Sequence, residues 1–167
     1  NLRRCAGAQR VNQVESDCET TAMSLNTDHL LRCIQTLESS LAMLNKAEED
    51  SIDYEVFRNA VVKGFELVLE TSGKLLRKAL KAYGGSPKAV DELFYKDVLR
   101  HAGKHGLLTP EAIERWFAYR DNRNSTAHDY GEGFARETLL LMPGFMEDAR
   151  SLEATLRERF GKADGDT

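Results

Sequence analysis

Apolar residues recur at steps of three and four between residues 30 and 160, and this spacing constrains the fold more than any other feature of the sequence. A helix returns to the same face about every 3.6 residues, whereas a half-buried strand alternates apolar and polar residues. No segment shows sustained alternation. The sequence therefore predicts an all-α protein, an antiparallel four-helix bundle with an additional short helix.

The first two helices are bounded by residues that favour helix ends. Capping candidates at positions 26–28 precede the first apolar stretch, and the second stretch runs from Asp53 to Gly84 and Gly85. The second helix is expected to be long. The apolar residues that carry the two registers are Leu30, Ile34, Leu37, Leu41 and Leu44, followed by Phe57, Val61, Phe65, Val68, Leu75, Leu76, Ala79 and Tyr83.

Two Ser/Thr-Pro pairs mark later helix starts. Ser86-Pro87 should begin a helix that ends at Gly106, and Thr109-Pro110 should begin the next one, because proline is tolerated at the first helical position. A last helix keeps its register over residues 134–160. We expect Pro143-Gly144 to kink or split that helix, since proline lacks an N–H donor and clashes with the preceding turn.

Composition limits the classes of protein that the chain can represent. Its 167 residues, 41% of them hydrophobic and 30% charged, suit one globular domain. No apolar run approaches the roughly 20 residues that cross a bilayer, so no membrane association is expected. The net charge of -4 argues against a broad electrostatic grip on nucleic acid, although a local phosphate site is compatible with it.

The termini differ from the central region. Residues 1–22 lack both a sustained apolar period and the apolar core of a secretory signal, so we expect an N-terminal extension that could be disordered. Met23 is a natural start for a domain over residues 23–160, and residues 161–167 are expected to be a flexible tail. The cysteines at 5, 18 and 33 have no CxxC spacing, which favours reduced thiols and a cytoplasmic location.

Polar residues concentrate in "RDNRNSTAHDY", residues 120–130. Arginine offers a planar donor fork that suits phosphate oxygens, and histidine can gain or lose a proton near neutral pH. Arg123 and His128 together suit metal-independent phosphodiester cleavage, with histidine as general acid or base and arginine stabilising the pentacovalent state. Tyr130 adds a hydroxyl that could orient phosphate or accept a group. The alternative is that these residues only end and cap a helix.

Other candidate sites are weaker. His101 and His105 are spaced to face one metal ion, but the sequence lacks the intervening glutamate of a zinc hydrolase and an evident third ligand. Solvated helix positions are the preferred interpretation, and neither a metal nor another cofactor is expected. Four acids at helical spacing are interpreted as a polar face: Glu66, Glu70, Asp91 and Glu92.

The stretch "RNSTAHDY" resembles the R-x4-H-x-Y motif of HEPN-domain proteins, specifically the HepT-like toxins, also called nucleotidyltransferase substrate-binding proteins. The likeness extends to "FELVLETSGKLLRKALKAYGGSPKAVDELFYKDVLRHAGKHGLL" and to the tryptophan before the motif, and covers roughly residues 25–160. It implies a homodimeric helical bundle whose two motifs meet at a cleft. It also implies an endoribonuclease toxin that a minimal nucleotidyltransferase antitoxin neutralises by binding it or by transferring AMP.

By position in the motif, the resemblance implies a role for each residue. Arg123 would stabilise the scissile phosphate, His128 would be the acid-base residue, Asn124 would support the motif's geometry, and Tyr130 would accept AMP. Two alternatives remain open. The chain could be a non-catalytic substrate-binding subunit of a nucleotidyltransferase, which the acidic net charge favours, or a helical dimerisation module whose motif caps a helix.

Overall fold

The computed structural model describes residues 23–125 and 132–161. This part of the chain contains six α-helices and no strand, which confirms the predicted all-α class. The predicted extension at 1–22 and nearly all of the predicted tail lie outside the described residues. In chain order the helices are α1 (Asp28–Leu44), α2 (Ile52–Lys81), α3 (Pro87–Asp91), α4 (Tyr95–Lys104), α5 (Pro110–Ser125) and α6 (Glu132–Phe160).

The core lies among the four longest helices, α1, α2, α5 and α6, and α4 adds the fully buried Val98, Leu99 and Ala102 to it. The backbone N–H of Leu25, just before α1, donates to the carbonyl of Phe160 at the end of α6, so these two helices run antiparallel. Phe145 of α6 is fully buried and contacts Phe65 of α2 edge to face, with ring centroids 4.7 Å apart. It also contacts Trp116 of α5 at 5.7 Å. Such edge-to-face pairs add directional packing to the burial of apolar area.

Capping chemistry explains several of the helix starts. The hydroxyl of Ser51 accepts from the backbone N–H of Tyr54 at the start of α2, and the hydroxyl of Thr109 accepts from the N–H of Ala112 at the start of α5. Each bond satisfies a donor that the first helical turn leaves unpaired. The predicted proline starts of α3 and α5 are confirmed.

The third predicted helix is wrong in one respect, because the chain breaks between α3 and α4 instead of continuing to Gly106. At the break the guanidinium of Arg77, on α2, donates to the carbonyls of Val90 at 3.0 Å and Leu93 at 2.6 Å. The Val90 carbonyl also accepts from the backbone N–H of Leu93, so Arg77 adds donors at a helix end whose last carbonyls are not all paired within the helix. A side chain from another helix therefore stabilises an interruption that the apolar pattern does not reveal.

The split expected at Pro143 does not occur, since α6 is continuous from Glu132 to Phe160. Met142 and Phe145, on either side of the Pro143-Gly144 pair, are fully buried in the bundle. A Cβ added at Gly144 would lie 3.4 Å from the Tyr119 hydroxyl, so α5 passes close to α6 at this point. Packing on both sides offsets the local cost of proline. None of the helices in the described residues is long and apolar enough to cross a membrane.

Candidate functional site

The predicted motif lies at the junction of α5 and α6. Arg123 is in the last turn of α5, Asn124 follows it, and α6 begins at Glu132. Residues 126–131, which include His128 and Tyr130, lie outside the described residues. The described geometry therefore concerns the arginine of the motif, the elements that hold it, and the surface around it.

Arg123 contacts a carboxylate that the sequence pattern did not single out. Its Nε lies 3.4 Å from Oε1 of Glu66, on α2, while the other oxygen of Glu66 lies 3.6 Å from Nζ of Lys63. The Glu66 side chain is 18% exposed and that of Arg123 37% exposed, so the pair is partly shielded from water. Glu66 thus joins the motif to α2, a contact that its interpretation as one residue of a polar face did not predict.

The other three acids of that group are exposed, as the polar-face interpretation requires. Glu70 pairs with Lys74 at 2.8 Å, and the hydrogen bond and charge of Lys74 lower its pKa below the ordinary value for a glutamate. Asp91 pairs with Lys81. Glu66 and Glu70 lie one turn apart on α2, and nothing local to the sequence distinguishes them; only their different surroundings in the folded bundle do.

A hydrogen-bond network around the buried Asp148 and Tyr119 fixes α5 against α6 below the motif. Arg115 donates two hydrogen bonds to Asp148, of 2.8 and 2.7 Å, and the hydroxyl of Tyr119 donates a third, of 2.6 Å. Burial by itself would raise the pKa of Asp148, but the hydrogen bonds from Arg115 and Tyr119 and the charge of Arg115 hold it below its ordinary value. Burial and the bond to Asp148 raise the pKa of Tyr119. The network therefore keeps Asp148 ionised and Tyr119 protonated at neutral pH.

Two asparagines precede the undescribed segment, and they differ in their contacts. Asn122 Nδ2 donates to the hydroxyl of Thr138, which is fully buried in α6, at 3.0 Å. Asn124 is exposed, and its side chain makes no hydrogen bond among the described residues. The amide that ties α5 to α6 is thus that of Asn122, and a supporting role for Asn124 stays a prediction.

Arg120 and Asp121, also in the polar stretch, contact α4 instead of the motif. The guanidinium of Arg120 lies over the ring of Tyr95, 4.8 Å from its centroid, and Asp121 pairs with Lys96 at 3.0 Å. Cation–π contacts and ion pairs of this kind hold neighbouring helices in place. The high charge of the stretch therefore has partly a structural explanation.

A cleft of about 360 Å³ opens beside the Glu66–Arg123 pair. One wall is a face of α2, and the other is the first turn of α6. The lining residues are Arg58, Asn59, Val62, Lys63, Glu66, Phe134 and Ala135. Sequence reasoning missed this surface, because it combines residues from two helices about 70 positions apart.

His105, one of the two histidines considered as a metal site, instead packs against other residues. The ring of His105 stacks on Tyr83, with centroids 4.0 Å apart, and its backbone carbonyl accepts from Arg159. Over residues 23–125 and 132–161, no three His, Cys, Asp or Glu side chains are grouped so that they could hold a metal ion.

Comparison with known protein families places this arrangement in context. Residues 32–158 match the model of a family described as "nucleotidyltransferase substrate binding protein like". The chain belongs to this family. The matched range spans α2, α5, the whole motif and the start of α6, so the cleft and the motif both lie inside it.

Individual relatives agree with the family assignment. The chain is 26% identical over 139 residues to a Haemophilus influenzae protein named "Probable ribonuclease HepT", with 81% of this chain and 94% of that protein covered. This supports the HepT-like resemblance.

Solved structures share the fold. One Haemophilus influenzae protein, whose structure is described as revealing the fold of a substrate binding domain of a nucleotidyltransferase, matches with a TM-score of 0.70 and 25% identity. The match covers 79% of this chain and 99% of that one. A Thermus thermophilus protein matches with a TM-score of 0.52 and 29% identity over 72% of this chain and 98% of its own.

Proposed function

We propose that the chain is a HepT-like toxin of a HEPN/MNT toxin–antitoxin pair, acting as a metal-independent endoribonuclease. The observation that carries the proposal is the placement of Arg123 at the end of α5, paired with Glu66 on the rim of a cleft lined by further cations. His128 follows five positions later in the sequence. The Haemophilus influenzae relative named as a probable ribonuclease supports the same activity.

The proposed chemistry uses one arginine and one histidine. His128 as general base removes the proton of the ribose 2′-hydroxyl, whose oxygen attacks the adjacent phosphorus while the 5′-oxygen of the next nucleotide leaves. Arg123 donates to the non-bridging oxygens, where negative charge accumulates in the pentacovalent state. The leaving oxygen takes up a proton, and the products are a 2′,3′-cyclic phosphate and a free 5′-hydroxyl.

The proposal includes two protein partners. A second copy of the chain would bring a second motif to the site, and a minimal nucleotidyltransferase would neutralise the toxin by binding it or by transferring AMP from ATP to the Tyr130 hydroxyl. An AMP group adds a charged phosphodiester close to His128 in the sequence. It would compete with RNA for the same cations.

RNA cleavage in the presence of EDTA tests the ribonuclease activity. The wild type should cleave, and His128→Ala and Arg123→Ala should each lose at least about 100-fold in rate, since general acid-base catalysis alone contributes that much. His29→Ala is the matched control, because His29 is exposed at the start of α1. Cleavage by His128→Ala at the wild-type rate would disprove the assigned role of His128.

A second candidate function is a non-catalytic subunit that presents a substrate to a separate nucleotidyltransferase. The family description and the net charge of -4 favour it. Incubation with the cognate transferase and ATP separates the two. Mass increments of AMP that disappear in Tyr130→Phe and persist in Tyr54→Phe support the antitoxin model, whereas stable binding with neither modification nor RNA cleavage supports the subunit model.

A further inference from the structure

The cleft beside Arg123 has more chemistry than phosphodiester cleavage requires. Residues 58, 59, 62, 63 and 66 recur at helical spacing and form one continuous face of α2, opposite the start of α6. The volume of about 360 Å³ falls in the range of small-ligand sites. The proposed roles of Arg123 and His128 give no function to Arg58 and Asn59, at the end of this face away from Glu66.

The charge of the cleft is locally positive in an acidic protein. Arg58 and Lys63 line the cleft and Arg123 lies beside it, whereas Glu66 is the one carboxylate among the lining residues. Glu70, one turn further along α2, also interacts electrostatically with Lys63 and Arg123. Arg58 is half-buried, and it makes no ion pair or hydrogen bond with any group in the described part of the chain. A guanidinium in that position gains most from a bidentate anion such as a phosphate.

The opposite wall offers an aromatic surface. Phe134, in the first turn of α6, is half-buried and lines the cleft with Val62 and the amide of Asn59. Unpaired nucleic-acid bases stack on aromatic rings of this kind, and an amide can bond to base edges. The cations on one wall suit the phosphate of a nucleotide, and the aromatic ring on the other wall suits its base.

We propose that this cleft is a subsite for one unpaired nucleotide of the RNA strand, adjacent to the scissile phosphate held at Arg123. Arg58 and Lys63 bind its phosphate, and its base stacks on Phe134. The inference rests on the proposed ribonuclease function and deepens it by assigning a single-stranded substrate. A neighbouring depression that Arg58 also lines has three acids, Glu49, Asp50 and Glu132, and one further cation, Arg136. Its acids outnumber those that line the cleft, so we place the strand between Arg58 and Arg123.

Binding is tested in a His128→Ala background, with a fluorescein-labelled single-stranded RNA and fluorescence anisotropy at several salt concentrations. Arg58→Gln should weaken binding several-fold and lower the slope of log affinity against log salt by about 0.7, the loss of one phosphate contact on a single strand. Phe134→Leu should weaken binding on the order of tenfold with an unchanged slope. One matched control is Arg32→Gln, because Arg32 is exposed on α1, whose start lies beside the C-terminal end of α6. The other is Phe94→Leu, because Phe94 is exposed just before α4.

Cleavage kinetics of the same substitutions in the active protein separate this inference from the proposed function. Arg58→Gln and Phe134→Leu should raise KM and leave kcat unchanged, as expected when uniform binding is lost. If both variants cleave RNA with the kcat and KM of the wild type, the subsite is disproved and the proposed ribonuclease activity is retained. If the protein does not cleave RNA but binds it, and binding depends on residues 58 and 134 as predicted, the ribonuclease activity is disproved and the subsite is retained.

Two further results would count against the subsite. The first is that the wild-type protein binds no single-stranded RNA. The second is that light scattering shows a different oligomeric state for Arg58→Gln than for the wild type, since the cleft would then be a contact between copies. Thermal unfolding verifies that each variant folds. If Phe134→Leu is unfolded, the exposed Lys63→Gln provides the second measurement, with the same expected loss of affinity and slope as Arg58→Gln.

Discussion

Glu66 is the described residue through which the structure most directly connects the fold to the proposed chemistry. Its carboxylate touches Arg123 at 3.4 Å and Lys63 at 3.6 Å. Glu66→Gln keeps the size of the side chain and removes the charge. The pair is partly exposed, so the loss in free energy of unfolding should stay below about 1 kcal/mol, and the melting temperature should fall by no more than about 4 °C.

The effect on cleavage should be larger than the effect on stability. An arginine displaced from its position by about 1 Å can cost up to 100-fold in rate, so we expect kcat to fall about tenfold, equivalent to about 1.4 kcal/mol of transition-state stabilisation. KM should not rise, because the substitution removes a negative charge from a site that binds phosphate. The assay is steady-state cleavage of a short labelled RNA at fixed ionic strength.

Glu70→Gln is the matched control for this prediction. Glu70 lies one turn further along α2, is exposed, and pairs with Lys74 instead of the motif arginine. It should keep the wild-type kcat. Equal kcat values for Glu66→Gln and the wild type, with cleavage abolished in Arg123→Ala, would refute the idea that the Glu66 carboxylate positions the arginine.

Other predictions concern stability. Because Asp148 has a lowered pKa in the folded protein, it stabilises the fold above the unfolded-state pKa of about 4, and this contribution is lost as the pH falls through the folded value. At pH 7, Asp148→Asn should lower the free energy of unfolding in urea by about 1–3 kcal/mol, because partners including Arg115 lose their acceptor. At pH 3 the loss should be clearly smaller. An equal loss at the two pH values would contradict the assignment. Gly73→Ala should cost about 1–3 kcal/mol, since its Cβ would lie 2.7 Å from a ring carbon of Tyr95, whereas Gly133→Ala, with open space around it, should not destabilise.

The local positive charge of the cleft reconciles an acidic chain with the proposed RNA substrate. A net charge of -4 excludes a broad basic surface, but recognition of a short unpaired segment needs few phosphate contacts. Arg58, Lys63 and Arg123 supply three cations within one cleft region. The salt dependence of RNA binding should therefore be modest compared with that of a general nucleic-acid-binding protein.

Local sequence patterns were sufficient to predict the helical class, most helix boundaries and the identity of the motif. Helical periodicity and proline or glycine signals act through neighbours only a few positions away, so the starts at Pro87 and Pro110 could be read directly. The family resemblance rested on a short run of residue types and was confirmed by the family match over residues 32–158. Roles for His128 and Tyr130 stay predictions.

Packing between helices determines which charged residues share a site and where local rules are overridden. Arg77 stabilises the break between α3 and α4 from another helix, and packing on both sides keeps α6 continuous through Pro143. Glu66 and Glu70 have equivalent positions in the local pattern, yet Glu66 forms an ion pair with Arg123 and Glu70 one with Lys74. The physical reason is that these contacts depend on how helices pack across the bundle, and that information is absent from the spacing of residues along any one helix.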